Sequence, residues 1–189
     1  MAQVADTRSY GKRLAYSVEQ ALRNSPRLIE GSIDSATAHL DLPLDNLPKR
    51  DQYAQAAASD DVWKARWGRH FLSLLDRQAA IPRTVPYTVQ AIQIGPAFGL
   101  VALDGEVFTQ IGLQIEHQLR PRRTLVLGYS NTSAGYIPTA SEIPKGGFEI
   151  EIFYWWLAPA PFAPQAEKVV VDAAVKLARE LGISRPALQ

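Results

Sequence analysis

Residues 101–139, VALDGEVFTQIGLQIEHQLRPRRTLVLGYSNTSAGYIPT, hold the side chains best placed to do chemistry. Two apolar runs each end in a turn: Asp104-Gly105-Glu106 after the first, and Ser130-Asn131 leading to Gly135-Tyr136 after the second. Glu106 falls where the first turn of a following helix is expected. Free backbone N–H groups and the helix dipole favour an anion there, as a simple first-turn acid, a ligand or a hydrogen-bond acceptor. Tyr136 follows a glycine and precedes Ile137-Pro138, so the chain turns and is then held extended, which fixes a phenol above the strand end. A buried tyrosine with its hydroxyl bonded is the ordinary account of such a residue.

These side chains need elements to position them. Phe108, Ile111, Gly112, Ile115 and Leu119 recur at helical spacing between the two apolar runs, which predicts strand, helix, strand. Loops at the carboxyl ends of neighbouring strands converge on one sheet edge, so Glu106 and Tyr136 can meet. Upstream, Tyr10, Leu14, Val18, Ala21 and Leu22 predict an amphipathic helix over 6–23, stopped by Asn24 and Pro26. Residues 31–44 read as a strand with Ala36, Ala38, Leu40 and Leu42 on one apolar side and His39 on the other. Residues 43–53 read as a loop, and Ser59-Asp60-Asp61 caps a helix with the stripe Trp63, Trp67, His70, Phe71, Leu74 and Leu75. Strands over 87–94 and 98–103 flank Gly95-Pro96 as a hairpin, and 124–128 reads as a buried strand. The aromatic stretch 148–156 is too rich in large side chains to be exposed throughout, although Phe153, Tyr154, Trp155, Trp156 and Phe162 could equally line an apolar groove. A last helix carries Ala166, Val170, Ala173, Leu177 and Leu181, with Gly182 as its stop. The class expected is α/β, a mixed sheet with at least four helices packed on it.

At 189 residues and 47% hydrophobic content the chain can bury a core as a single domain or part of a larger one. A net charge of +1 argues against nucleic acid or an anionic membrane as the main partner. Arg120-Pro121-Arg122-Arg123, the one basic cluster, reads as a solvated strand entrance. The absence of cysteine excludes disulfides and thiolate chemistry and leaves the redox compartment open. No apolar run reaches the roughly 18 residues a membrane span needs, and the start lacks a signal-peptide h-region. A longer parent could carry such a signal, which leaves a secreted or periplasmic location open.

Asp104-Gly105-Glu106-Val107-Phe108, followed by Gly128-Tyr129-Ser130-Asn131, Gly135-Tyr136-Ile137-Pro138-Thr139 and Gly146-Gly147-Phe148-Glu149, resembles the neutral/alkaline, non-lysosomal ceramidase family and its bacterial relatives. The similarity runs from about residue 8 to residue 181 and is sharpest over 90–149. It implies that Glu106 and Tyr136 are catalytic residues that coordinate zinc together with two histidines from an upstream portion with no counterpart here. The activity implied is hydrolysis of the N-acyl amide bond of ceramide or a related N-acyl lipid: zinc lowers the pKa of bound water towards about 7, and the hydroxide attacks the acyl carbonyl. Asp104 departs from the family's usual proline before Gly-Glu. Ser133 and Gly135 stand where ceramidases closest to the animal enzymes have a tyrosine and a histidine.

On this resemblance the 189 residues are the C-terminal part of a ceramidase-like catalytic domain, completed by the rest of a parent protein or by a second chain. Alone they should bind zinc weakly and hydrolyse nothing. A different reading is a non-catalytic half or subunit that folds against a histidine-bearing partner. A serine hydrolase using Ser130 fits poorly, because Thr132 occupies the glycine position of the nucleophile elbow and no histidine follows. His39 reads as an exposed strand histidine and His70 as a buried, hydrogen-bonded one. His117 lies about 16 Å along the helix from Glu106 at 1.5 Å per residue, too far to share a metal.

Overall fold

Alternation in the first strand sets up the sheet. A computed structural model describes residues 2–24, 28–120 and 123–183, which divide into two units, 1–30 and 31–189. In the second unit β1 (Ile33–Pro43) pairs antiparallel along its length with β2 (Thr84–Ile94), and β2 turns through Gly95 into antiparallel β3 (Phe98–Leu103). β3 then pairs in parallel with β5 (Arg123–Leu127), with α4 (Thr109–Gln118) between them in sequence. The expected strand–helix–strand unit is therefore present, in a mixed sheet of order β1-β2-β3-β5. The ladder ends there, and a separate two-residue pair, β4 (Glu106–Val107) with β6 (Tyr136–Ile137), lies beyond it.

Helices α4 and α6 (Gln165–Glu180) pack against the sheet and against each other. Leu42 and the partly buried Ala36, Ala38 and Leu40, the apolar parity of β1, join this core with the fully buried Val101, Leu103, Ile111, Ile115, Leu119, Val170 and Ala174. Gly182, just past α6, has φ +92°, the left-handed conformation of a helix stop. β5 differs from the buried strand its composition predicts. It is an edge strand whose Thr124 is buried while Leu125 and Leu127 are exposed, so only one parity meets the helices.

A second cluster forms where α3 (Val62–Asp76) meets α2 (Arg50–Ala57). Asp61 caps α3 by accepting from the N–H groups of Trp63 and Lys64, and the Lys64 bond first of all holds its carboxyl below the usual carboxylate range. Helix α2 begins inside the segment expected to be a loop. Only Tyr53 and Ala56 of its eight residues are buried, so its stripe is too short to register as a periodicity. Contact with α3 holds it: a side chain at Gly68 would meet the Ala57 nitrogen at 2.4 Å and the Tyr53 oxygen at 2.5 Å, so the two backbones touch. The remaining short helix, α5 (Phe148–Glu151), leads into a 3₁₀ turn over Ile152–Trp156.

The first unit holds α1 (Ala2–Arg23), whose Tyr10, Leu14, Val18 and Leu22 are exposed. Pro26, expected to help stop it, lies outside the described residues, as do Pro121 and Arg122 of the basic cluster.

Candidate functional site

Glu106 is reached through a turn at the end of β3. Gly105 adopts φ +70°, and a side chain there would strike the Gly135 carbonyl at 2.5 Å, so glycine is required on both counts. The turn delivers Glu106 into β4, not into the first turn of α4. The helix starts at Thr109 and has no acid in its first turn, which overturns the helix-dipole account of Glu106. Strand pairing replaces it. Glu106 N–H donates to the Gly135 carbonyl at 2.8 Å and Phe108 N–H to the Ile137 carbonyl at 3.1 Å, which puts Glu106 in register with Tyr136. Partners in register present their side chains on the same face.

The two candidates are therefore neighbours. The Tyr136 phenol faces the Glu106 carboxylate, and the carboxylate's pull as a hydrogen-bond acceptor, followed by desolvation and its charge, pushes the phenol's pKa up to about 12. Sequence reasoning missed the third member of the group. Tyr129 also feels Glu106, whose pull as a hydrogen-bond acceptor is the first cause raising its pKa, although the residue is 71% exposed. Its reach depends on a left-handed backbone, φ +52°, with Asn131 at φ +71° two residues on. The signal available was its place just past β5, at the sheet edge where β3 ends. There Tyr129 N–H donates to the Gly105 carbonyl at 2.7 Å and Ser130 N–H to the Leu103 carbonyl at 3.0 Å.

Asp104 holds the turn together from inside. It is 1% exposed, accepts from the Thr132 hydroxyl, and accepts from Ala134 N–H at 3.2 Å, so one carboxylate ties the end of β3 to the segment before Tyr136. On the far side of β6, Glu167 of α6 accepts from Ala140 N–H at 2.7 Å and from the Gln114 amide of α4 at 2.6 Å. Behind the loop, Trp156 sets its ring edge-on to Tyr136 at 5.8 Å and fills the space a side chain at Gly135 would need. Trp156 belongs to a segment anchored by Trp67, whose indole N–H donates to the Ala158 carbonyl at 2.7 Å, and by Tyr53, whose hydroxyl donates to the Pro159 carbonyl at 3.3 Å. Phe148 and Trp155 open on their other side into a groove of about 1010 Å³ shared with Asp61, Lys64 and Tyr154.

Ser130 donates its hydroxyl to the Gly128 carbonyl at 3.2 Å. His39 is exposed on β1, its ring nitrogen 3.4 Å from the Thr88 hydroxyl, and His117 is exposed near the end of α4. His70, expected to be buried and hydrogen-bonded, is exposed on α3. It sits one step off the Trp67–Phe71 line and rests edge-on against Phe71 at 4.9 Å.

The donor set at the β4–β6 pair is one carboxylate and two phenols. Catalytic zinc normally takes three protein ligands, imidazole prominent among them, and phenols beside a carboxylate are poor replacements. Among the described residues no three His, Cys, Asp or Glu side chains converge on a point that could hold a metal. These residues do not make a zinc site by themselves.

No family model matches the sequence, and no curated protein matches it. Solved structures do. One is neutral ceramidase from Pseudomonas aeruginosa, 14% identical over 85% of this chain with a TM-score of 0.50. Another is a ceramidase complexed with C2, 13% identical over 85% of this chain with a TM-score of 0.51. The chain spans 30% and 32% of their respective lengths. Its fold is similar to part of a ceramidase.

Proposed function

We propose that this chain is the oxygen-donor part of a zinc-dependent amidohydrolase of the neutral ceramidase type, which cleaves the N-acyl amide bond of ceramide or a related N-acyl lipid once further polypeptide supplies histidine ligands. The observation that carries this reading is the in-register pair of Glu106 and Tyr136, carboxylate beside phenol, on a ceramidase-like fold. Tyr136 keeps its proton up to about pH 12 and so can donate to an acyl oxygen as negative charge develops on it. Glu106 is held by a strand register with two phenols near it, and serves as the acceptor.

The all-oxygen donor set favours a second reading, a non-catalytic half or subunit that docks on a histidine-bearing partner. Two measurements separate the possibilities. Calorimetric titration of the 189-residue chain with zinc should give only weak binding; a single submicromolar site lost in Glu106→Ala would show that the half-site is complete without histidines. The native protein, isolated with the chains that accompany it, should convert N-acyl lipids to fatty acid and amine by mass spectrometry, and Glu106→Gln should abolish this. No turnover across the panel would reject the hydrolase and leave the subunit reading.

A further inference from the structure

Tyr136, Phe148, Trp155 and Trp156 form a closed circuit of ring contacts beside Glu106. Successive centroids lie 6.3 Å apart for Tyr136–Phe148, 5.6 Å for Phe148–Trp155, 6.3 Å for Trp155–Trp156 and 5.8 Å for Trp156–Tyr136. Three of these contacts are near perpendicular, at 70°, 89° and 87°. Edge-to-face packing accounts for ring pairs in a core. It does not account for rings that stay in solvent, and Phe148 is 53% and Trp155 42% exposed.

At the Tyr136 end of the circuit the neighbouring charges are carboxylates, whereas the groove on the other side of Phe148 and Trp155 holds both Asp61 and Lys64. Glu106 is in register with Tyr136, and its charge and that of Glu149, next to Phe148 in the chain, both act on the Tyr136 phenol. Lys145, the cation of the preceding turn, is paired with Glu142 at 2.6 Å. Aromatic faces carry partial negative charge, so crossed rings with carboxylates at the rim suit a cation that also has apolar substituents. An anion would be repelled, and a neutral hydrocarbon gains nothing from the carboxylates.

We propose that the Tyr136–Phe148–Trp155–Trp156 circuit, with Glu106 and Glu149 at its rim, is a binding site for an alkylammonium group. Amide hydrolysis adds water across the C–N bond: the acyl carbon takes the hydroxyl, the nitrogen takes a hydrogen, and the released amine gains a proton from solvent. The site's natural occupant is then the long-chain amine product. That identification rests on the proposed hydrolysis, whereas ammonium binding does not.

The test uses the 189-residue chain with two probes of similar shape, n-hexylammonium chloride and hexan-1-ol, read by calorimetry and tryptophan fluorescence. The ammonium should bind at least ten-fold more tightly. Phe148→Leu and Glu149→Gln should each weaken it about three- to five-fold, the scale of one exposed cation–π or ion contact, without moving the thermal midpoint. Equal affinity for the two probes, or unchanged binding in both variants, would overturn the site. Ammonium binding without turnover of any N-acyl lipid by the native protein keeps the site and rejects the amine product as its occupant. Turnover without ammonium binding rejects the site and leaves the hydrolase standing.

Discussion

Asp104→Ala tests whether one buried carboxylate holds the two halves of the site in register. Asp104 is 1% exposed and accepts two hydrogen bonds, from the Thr132 hydroxyl and from Ala134 N–H. Hydrogen bonds to a charged group are worth about 1.5–3 kcal/mol each. Thr132 is exposed and can turn to water, but Ala134 N–H is half-buried and would lose its partner. The lower end of the range applies, so Asp104→Ala should cost about 3 kcal/mol in urea unfolding followed by circular dichroism. Asp104→Asn keeps an acceptor for Ala134 and lets the Thr132 hydroxyl reverse its role, so it should cost about 1 kcal/mol. The site should respond as well: with the turn loosened, the Tyr136 phenol should titrate below its folded value of about 12. If Asp104→Ala costs under about 1 kcal/mol and leaves that titration unchanged, the main-chain bonds of Glu106 and Phe108 hold the register alone.

Three further outcomes are expected. Tyr129 and Tyr136 have folded-state pKa values above the ordinary 10.0, so they stabilise the fold below about pH 10 and lose that contribution as pH rises, Tyr136 through about 12; absorbance at 295 nm should show the Tyr136 step move down in Glu106→Gln, and an unmoved step would mean the phenol is raised by burial alone. The Tyr87 hydroxyl is buried with no hydrogen-bond partner, and burial followed by the charge of Asp104 pushes its pKa up, so Tyr87→Phe should leave stability unchanged or raise it by up to about 1 kcal/mol; a clear loss in urea unfolding would reveal a partner. Gly68→Ala should cost about 3 kcal/mol because its Cβ meets backbone, whereas Gly112→Ala, with Val126 at a comfortable 3.6 Å, should gain up to about 1 kcal/mol in α4; equal effects would refute the packing argument.

What sequence showed and what it hid divide along one physical line. Periodicity that is complete within an element was legible: the apolar parity of β1, the hairpin around Gly95-Pro96, the stripe of α4 and the cap at Asp61 all stand where their residues place them. Features that exist only through a tertiary contact were not. Helix α2 owes its existence to backbone packing on α3, and β5 is an edge strand because, among the described residues, no further strand pairs with it.

The site follows the same line. Glu106 and Tyr136 were legible as a pair because each closes a recognisable turn, yet the reason they meet is a two-residue parallel ladder too short to leave any alternation in the sequence. The helix dipole was the wrong cause for the right neighbourhood. Tyr129 was hidden for a sharper reason, since its phenol comes near Glu106 from a positive φ that a tyrosine rarely adopts. A tyrosine in that conformation has to be held there by its surroundings, and here the holding bonds run from its own N–H and that of Ser130 to the last carbonyls of the β3 turn. The same carbonyls belong to the turn that presents Glu106. The strain at Tyr129 and the position of the carboxylate are thus two consequences of one set of main-chain bonds, and the carboxylate stands between two phenols because the turn and the loop are fastened to each other.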